Sequence, residues 1–162
     1  MQLTAGVEWA VHCVVFLANL PDGAALSADR LAEQHGVPRP YLAKTLQALS
    51  RAGLVGSRAG RRGGYFLTHP SDQITLLDVV LAVEGDEPAF RCTEIRQRGP
   101  NRVAARLYPP RCGIAAAMDR AEAAWRAELA TVTVADLGRV AVRQAPAVAQ
   151  TKTRAWLEQA LH

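Results

Sequence analysis

Apolar residues recur every three or four positions through the first third of the chain, and this spacing predicts three consecutive helices. The first helix is expected over about residues 4–19, the second over 28–35, and the third from 38–40 to about 52. Ser27 is a typical N-cap for the second helix, and Gly36 suits the turn that follows it. Two helices joined by a tight turn are the pattern of a helix–turn–helix.

A glycine-rich hairpin and a fourth helix are predicted next. Two β-like runs, residues 54–58 and 64–68, flank a tip with the sequence Ala-Gly-Arg-Arg-Gly, which is typical of a hairpin loop that serves as a wing. Thr75 and Asp78 are spaced as a capping box for a helix over residues 76–84. We therefore assign residues 1–85 to a winged helix–turn–helix domain.

The second half of the chain contains a long loop and then a narrow apolar seam. No periodicity holds over residues 86–112, which four prolines interrupt. Steps of three or four between apolar residues predict one long helix over 113–134. A seam this narrow is typical of a dimerisation helix that pairs with a copy of itself, and packing on its own domain is the alternative. The seam positions are Ile114, Met118, Ala121, Trp125, Leu129 and Val132.

The remaining residues, 135–162, form a C-terminal tail. The pattern predicts a short helix near Asp136 and a terminal helix around Trp156. The chain is thus divided into a winged domain (1–85), a loop (86–112), a dimerisation helix (113–134) and a helical tail.

Positive charge is concentrated in the predicted helix–turn–helix. The chain has a net charge of +4, yet residues 34–71 contain six Lys or Arg and no Asp or Glu. An acid-free basic winged motif is typical of a domain that binds double-stranded DNA, whereas solvated basic faces usually mix both signs. The expected fold class is therefore mainly α, a winged helix–turn–helix DNA-binding domain with a small β-hairpin wing and a long C-terminal dimerisation helix.

In such a domain the third helix enters the major groove and the wing reaches phosphate or the minor groove. Arg can form two hydrogen bonds with guanine and Gln with adenine, while Lys and Thr suit either phosphate or base. For any single side chain, contact with phosphate alone is the commoner role. The candidate DNA-binding residues are Arg39, Tyr41, Lys44, Thr45 and Gln47 on the third helix, and Arg58, Arg61 and Arg62 in the hairpin.

The sequence disfavours several other classes of protein. The N-terminal residues lack the basic region and cleavage site of a signal peptide, and the longest apolar run is too short to span a bilayer; we therefore expect a cytoplasmic protein. Three cysteines are too few for a disulfide framework. We find no nucleophile–base set and no nucleotide-binding glycine motif, so an enzyme is not expected.

The first helix carries candidate metal ligands. Its apolar residues lie on both sides, so we expect one side to pack on its own domain and the other to meet a partner subunit. Glu8 and His12, four residues apart, share that second side. They form either an ion pair or a metal site with Cys92 and Cys112, and this set suits zinc or an iron–sulfur cluster with mixed ligands. Cys13 lies about 100° around the helix from His12, and we interpret it as a small buried hydrophobic residue.

Several motifs, in order and at consistent spacing, resemble the Rrf family of bacterial winged-helix regulators. The resemblance covers roughly residues 1–132. It implies a homodimer, a palindromic DNA site and, in many members, a [2Fe–2S] or [4Fe–4S] cluster. The motifs include Tyr41-Leu42-Ala43-Lys44, Ala52-Gly53-Leu54-Val55, Gly63-Gly64-Tyr65-x-Leu67 and Thr75-Leu76-Leu77-Asp78-Val79-Val80.

The cysteines depart from the common family pattern, which has three closely spaced cysteines in the loop. With only Cys92 and Cys112 there, the chain is similar to a redox-sensing member whose [2Fe–2S] cluster is held by two cysteines, a histidine and a glutamate. That likeness implies that Glu8 and His12 of one subunit join the two cysteines of the other. Trp9, which adjoins Glu8, is then a candidate element of the switch.

We therefore expect a homodimeric, redox-sensing transcriptional regulator, more specifically a repressor, that carries a [2Fe–2S] cluster. One alternative is a cluster-free winged-helix regulator that uses Cys92 and Cys112 as a thiol switch or binds zinc. A second is a small iron–sulfur electron-transfer or carrier protein, which the basic winged motif disfavours.

Overall fold

The computed structural model describes residues 3–60 and 63–161, and these residues form seven α-helices and a two-stranded antiparallel sheet. This confirms the mainly α, winged-helix fold class. Within these residues, no helix combines the length and apolar character that a membrane crossing needs. The elements in chain order are α1 (Ala5–Ala18), α2 (Ala28–His35), α3 (Arg39–Arg51), β1 (Val55–Arg58), β2 (Gly64–Leu67), α4 (Leu76–Glu84), two short 3-10 helices (Ile95–Gln97 and Ala105–Leu107), α5 (Gly113–Thr131), α6 (Val134–Gln144) and α7 (Ala147–Ala160).

The helix–turn–helix is built as its sequence indicates. Ser27 Oγ caps α2 by accepting a hydrogen bond of 3.2 Å from a backbone N–H in the first turn. Gly36 ends α2 with a φ of 63°, a left-handed conformation that glycine adopts without strain. The inner face of α3 places Leu42, Leu46 and Leu49 in the core, where each is fully buried. Burying such a side chain is worth about 1.5–3 kcal/mol, and this burial fixes α3 against α1, α2 and α4.

The wing is a hairpin in which Val55 of β1 lies opposite Leu67 of β2. Leu26, in the connection between α1 and α2, bridges to β2 by exchanging backbone hydrogen bonds of 3.1 and 2.7 Å with Tyr65. A Cβ at Gly64 would lie 2.3 Å from the Leu26 carbonyl, and the φ of Gly64 is 143°. Only glycine permits this close approach. The candidate wing-tip residues Arg61 and Arg62 lie outside the described residues.

Two capping boxes lie side by side where α4 and α6 begin. Thr75 caps α4 with Asp78, as the sequence predicts, and Thr133 caps α6 with Asp136 in the same way. The two threonines also form an antiparallel bridge. Helix α6 has 11 residues and packs on α1, so it is longer than the short helix expected near Asp136.

The C-terminal helix α7 covers part of the second apolar side of α1. The ring of Trp156 packs edge-to-face on Phe16, with centroids 6.0 Å apart. Its Nε1 donates a hydrogen bond of 3.2 Å to Glu33 Oε1 on α2. The expectation that this whole side of α1 awaits a partner subunit is therefore corrected, because α7 of the same chain lies over Phe16. Glu8 and His12, nearer the start of α1, stay exposed.

Helix α5 packs on its own domain at one end and is exposed at the other. Near its C-terminal end, Trp125 lines a cleft together with Leu3 and Val80, and α5 contacts α4. Near its N-terminal end, Ile114 is 69% exposed and Met118 is 43% exposed. The C-terminal half of the seam thus packs on its own domain, whereas Ile114 and Met118 in the N-terminal half form an exposed apolar strip. Its role in dimerisation stays a prediction.

Candidate DNA-binding surface and metal centre

The outer face of α3 holds the exposed residues that we predicted to contact DNA. Tyr41, Lys44 and Gln47 are all exposed, and Tyr41 is 57% exposed. Residues three apart on a helix lie on the same side, so these three form one outward row. The row combines a cation, an amide and an aromatic hydroxyl, which are groups that can contact phosphates and base edges.

Thr45 does not belong to this face, and the prediction that it points outward is wrong. It is 5% exposed, and its Oγ1 donates a hydrogen bond of 3.4 Å to the backbone carbonyl of Tyr41. Thr45 lies between Leu42 and Leu49 on the side of α3 that packs on α1, near Gly6. The packing of α3 on α1 therefore buries a polar residue that the spacing of the leucines had placed on the outer face of α3.

Two of the candidate arginines have partners within the chain. Arg39 forms an exposed ion pair with Asp29 on α2. Exposed pairs of this kind contribute little to stability, so a DNA phosphate can compete for Arg39. Arg58 donates a hydrogen bond to the carbonyl of Gly23, and its guanidinium carbon lies 5.6 Å from the centroid of the Phe66 ring. In the free protein Arg58 thus braces the base of the wing.

Trp9 connects the first helix to the outer face of α3. Its ring packs on that of Tyr41, with centroids 6.2 Å apart and planes tilted by 58°. Trp9 adjoins Glu8 in the sequence, so one contact separates a candidate metal ligand from a candidate DNA contact.

The two loop cysteines come together at the start of α5. Cys92 Sγ, Cys112 Sγ and a carboxylate oxygen of Glu94 all lie within 4.8 Å of one another. Cys112 is 8% exposed and occupies the N-cap of α5. Hydrogen bonds from the backbone N–H groups of Ala115 and Ile114 hold the pKa of the Cys112 thiol below its usual value. A helix N-terminus that stabilises a thiolate favours metal binding, because the thiolate is the ligand form.

Glu94 is a possible ligand that the sequence analysis did not identify. Its Oε1 accepts a hydrogen bond of 3.6 Å from Cys92 Sγ, while its Oε2 accepts two from Arg96, of 2.6 and 3.0 Å. The Arg96 hydrogen bonds hold the pKa of the Glu94 carboxyl below its usual value. Arg96 in turn stacks on Tyr108, with its guanidinium carbon 4.8 Å from the ring centroid. The available sequence signal was that Glu94 is the single acid over residues 91–111 and lies two positions from a cysteine.

Glu8 and His12 are not part of this group within the described part of one chain. The ring of His12 lies 5.8 Å from that of His35, between centroids. His35 Nε2 is buried without a hydrogen-bond partner among the described residues, and burial lowers the pKa of this imidazole, with a smaller effect from His12. Cys13 is fully buried, and burial raises the pKa of its thiol to about 12. This confirms Cys13 as a hydrophobic core residue.

The cysteine pair fits a metal or cluster that prefers sulfur ligands. Thiolates and a carboxylate are ligands of tetrahedral zinc, and thiolates with imidazole occur in mixed-ligand iron–sulfur centres. Cys92 and Cys112 supply two of the four protein ligands that a [2Fe–2S] cluster takes. The positive charge of Arg96 lies against this group and favours its anionic form.

Comparison with known proteins agrees with this architecture. The model of the Rrf2 family, "Iron-dependent Transcriptional regulator", matches residues 3–139. The structure of T. potens IscR superposes with a TM-score of 0.67 at 20% identity, over 90% of this chain and 93% of that one. The structure of CymR (YrzC), the global cysteine regulator of B. subtilis, gives a TM-score of 0.63 at 22% identity, over 86% of this chain and 98% of that one. These structural likenesses show a shared fold.

The family match covers both features described above, the exposed row on α3 and the cysteine pair at the start of α5. The chain therefore belongs to the Rrf2 family, whose members are DNA-binding transcriptional regulators, generally dimeric, and not enzymes.

Proposed function

We propose that this regulator is a homodimeric repressor that senses redox state through a [2Fe–2S] cluster held by Cys92 and Cys112 of one subunit and by Glu8 and His12 of the other. The observation that carries the proposal is the convergence of the two cysteines, distant in sequence, to within 4.8 Å at the start of α5. Glu8 and His12 are exposed on α1, as ligands offered to another subunit must be. This ligand set resembles that of the redox-sensing family member RsrR.

The exposed strip of α5 supports ligation across the dimer. Ile114 lies two residues after Cys112 and is 69% exposed. Burying apolar surface drives association, so a partner that covers Ile114 and Met118 must approach the cysteine pair closely. The dimer seam and the proposed cluster site therefore share one end of α5, and the partner's first helix is the candidate source of the remaining ligands.

The bound cluster supplies a reversible one-electron change, and imidazole and carboxylate ligands in place of thiolates favour a higher reduction potential. The chain's own residues carry the response. Trp9 adjoins Glu8 and packs on Tyr41 of α3, so a shift of α1 at Glu8 moves the row that contacts DNA. Such a change regulates only if the two redox states differ in DNA affinity.

The DNA contact is assigned to Tyr41, Lys44 and Gln47, with Arg39 released from Asp29 and with Arg58, Arg61 and Arg62 at the wing. A two-fold symmetric dimer presents two copies of α3, which is the geometry that reads a palindromic operator.

Mixed dimers provide the sharpest test. A chain with Glu8→Gln and His12→Gln is co-expressed with a differently tagged chain carrying Cys92→Ser and Cys112→Ser, and the heterodimer is purified anaerobically by both tags. If the ligands come from both subunits, the cysteines of the first chain and Glu8 and His12 of the second form one complete site per heterodimer. Iron and sulfide should then be about half of the wild-type content. If all four ligands come from one chain, the heterodimer has no complete site. Cys13→Ala is the matched control and should keep the full content.

The redox switch is tested by gel shift against an operator selected from random duplexes. Oxidised and reduced protein should differ in affinity, and a reporter placed behind that operator should be expressed more when the regulator gene is deleted. Equal affinity of the two forms would end the redox-sensing proposal, while DNA binding without salt dependence would speak against the groove contact.

A cluster-free regulator is the second candidate, and one observation favours it: Cys92, Cys112 and Glu94 converge within a single chain. In that case the two cysteines act as a thiol switch or bind zinc. Anaerobically purified protein with visible absorbance and stoichiometric sulfide would exclude it.

A further inference from the structure

Glu94 occupies a conformation that needs an explanation. Its φ and ψ are both 50°, and it is the one non-glycine residue with a positive φ among residues 3–60 and 63–161. Non-glycine residues in this region are strained, and such residues cluster at functional sites. The consequence here is geometric, because the left-handed turn directs the carboxylate back towards Cys92 and Cys112.

The two oxygens of the Glu94 carboxylate have different partners. Oε2 is held by Arg96 through two hydrogen bonds, whereas Oε1 faces Cys92 Sγ at 3.6 Å. A carboxylate that binds a metal in a protein is commonly also hydrogen-bonded by a neighbouring residue, which fixes its orientation. Arg96 is in that position for Glu94. Arg96 is itself fixed, since it stacks on Tyr108 and the Tyr108 hydroxyl donates a hydrogen bond of 3.0 Å to its backbone carbonyl.

The charges of the group also match a divalent cation. Two thiolates and one carboxylate around a divalent ion leave one net negative charge, and Arg96 supplies one positive charge against the same carboxylate. The nearby Arg111 is already paired with Asp119. The assembly of ion, three ligands and Arg96 is therefore electrically neutral, which reduces the cost of holding it in a half-buried site.

We propose that Cys92, Glu94 and Cys112 of a single chain form a tetrahedral Zn²⁺ site, with Glu94 Oε1 as the third protein ligand, water as the fourth, and Arg96 positioning the carboxylate. Zinc takes cysteine sulfur and carboxylate oxygen as ligands, and a zinc ion with three protein ligands keeps water in the fourth position. Binding releases the protons of the thiols. The inference rests on the same cysteines as the proposed function but on a different third ligand, so zinc and the cluster are mutually exclusive occupants.

The zinc ion would also have a structural effect. It joins the loop at Cys92 to the N-cap of α5 at Cys112, and none of the residues 86–111 is buried. In a loop without buried residues, such a crosslink adds to the order that polar pairs alone provide. The zinc form is thus a redox-inert state in which the loop is closed without help from a partner subunit.

The test uses full-length protein stripped of metal with a chelator under anaerobic conditions. Titration with Co²⁺ should give thiolate-to-cobalt charge-transfer absorbance that saturates at one ion per chain, and Zn²⁺ should displace it. Glu94→Gln keeps the size of the side chain and should lower zinc affinity by at least tenfold. Arg96→Lys cannot make the paired hydrogen bonds and should lower zinc affinity by about 10–100-fold.

Glu87→Gln is the matched control, because Glu87 is an exposed loop carboxylate that is also paired with an arginine, and this variant should bind zinc as the wild type does. Glu94→Asp is a second variant, which keeps the charge but moves the carboxylate oxygen away from Cys92, and it should also bind zinc more weakly. Circular dichroism checks that each variant is folded. Wild-type zinc affinity in both Glu94 variants would overturn the proposal. So would a stoichiometry of one ion per two chains.

The experiment separates this inference from the proposed function. Glu8→Gln and His12→Gln should lose the cluster and keep full zinc affinity. Glu94→Gln should lose zinc affinity and keep the cluster. If the cluster survives in the Glu8 and His12 variants, only the proposed cluster ligands are contradicted. If zinc affinity falls in the His12 variant, only the zinc site within a single chain is contradicted.

Discussion

The helix–turn–helix and the loop over residues 86–112 are held in place by different forces. In the first, leucines at helical spacing are fully buried, and side-chain or glycine caps begin and end the helices. In the loop, none of the residues 86–111 is buried. Its order depends on charged and polar pairs, chiefly Glu94 with Arg96, Arg96 with Tyr108, and Asp86 with Arg126. The same chain thus combines an apolar core with a loop that is held together by polar contacts.

Truncation of a core leucine should separate the two regions most clearly. Leu46 is fully buried in α3, so Leu46→Ala should lower the free energy of unfolding by about 2–5 kcal/mol. Ile95 lies in the loop and is 72% exposed. Ile95→Ala should change the free energy of unfolding by no more than about 0.5 kcal/mol. Urea unfolding followed by circular dichroism measures both; similar losses would mean that the loop contributes to the core.

A charge in the exposed strip of α5 should break the dimer and leave the domain folded. Ile114→Glu with Met118→Glu places two carboxylates where the structure leaves apolar side chains exposed, and sedimentation equilibrium should then detect a monomer. Ile95→Glu with Val103→Glu is the control, since it adds the same two charges at exposed apolar positions outside the seam. A double variant that still dimerises would assign the interface to another surface.

Removal of one cation from the outer face of α3 should weaken DNA binding without affecting stability. Lys44 is exposed, and Lys44→Ala should reduce the slope of log affinity against log salt by about 1.8 if Lys44 of each subunit in the dimer contacts one phosphate. Thr45→Val is a useful comparison: Thr45 is buried, so this change should leave the salt slope unaltered. Fluorescence anisotropy at several salt concentrations measures both variants.

The smallest expected effect concerns the capping box of α6. Hydrogen bonds from the Thr133 hydroxyl and backbone N–H hold the pKa of the Asp136 carboxyl below its usual value. This contribution to stability is present above the unfolded pKa of Asp, about 3.9, and is lost as the pH falls through the lower folded pKa. Asp136→Asn should therefore be less stable than the wild type near neutral pH, and the difference should shrink in acid. Thermal unfolding at pH 7 and at pH 3 measures the trend, and an equal difference at both pH values would contradict it.

Features that depend on neighbouring residues could be predicted from the sequence, and features that depend on the packing of distant segments could not. The core stripe of α3, the Ser27 and Thr75 caps and the wing were predictable, because each depends on residues close together in the sequence. Thr45 was assigned wrongly, because its burial depends on the packing of α3 against α1, a segment distant in the chain. The length of α6 was underestimated: the capping box of Thr133 and Asp136 is a local signal that was not used, and the packing of α6 on α1 is not visible in the sequence.

The candidate site shows the same limit. Cys92 and Cys112 were identified as a pair from their residue type and the loop between them, and the structure brings their sulfurs together. Glu94 was missed because its distance from the two sulfurs depends on the path of the loop, which includes a left-handed backbone conformation at Glu94. The role of Glu8 and His12 stays a prediction, since it depends on a second subunit.

The amino-acid sequence by itself determined the helical elements, the basic winged motif and the cysteines, because helix periodicity, capping and charge are properties of neighbouring residues. The tertiary structure alone decided that Thr45 is buried, that α7 covers Phe16 and that Glu94 lies beside two cysteines. These outcomes depend on the packing of segments distant in the chain, and on one backbone conformation that residue type does not specify.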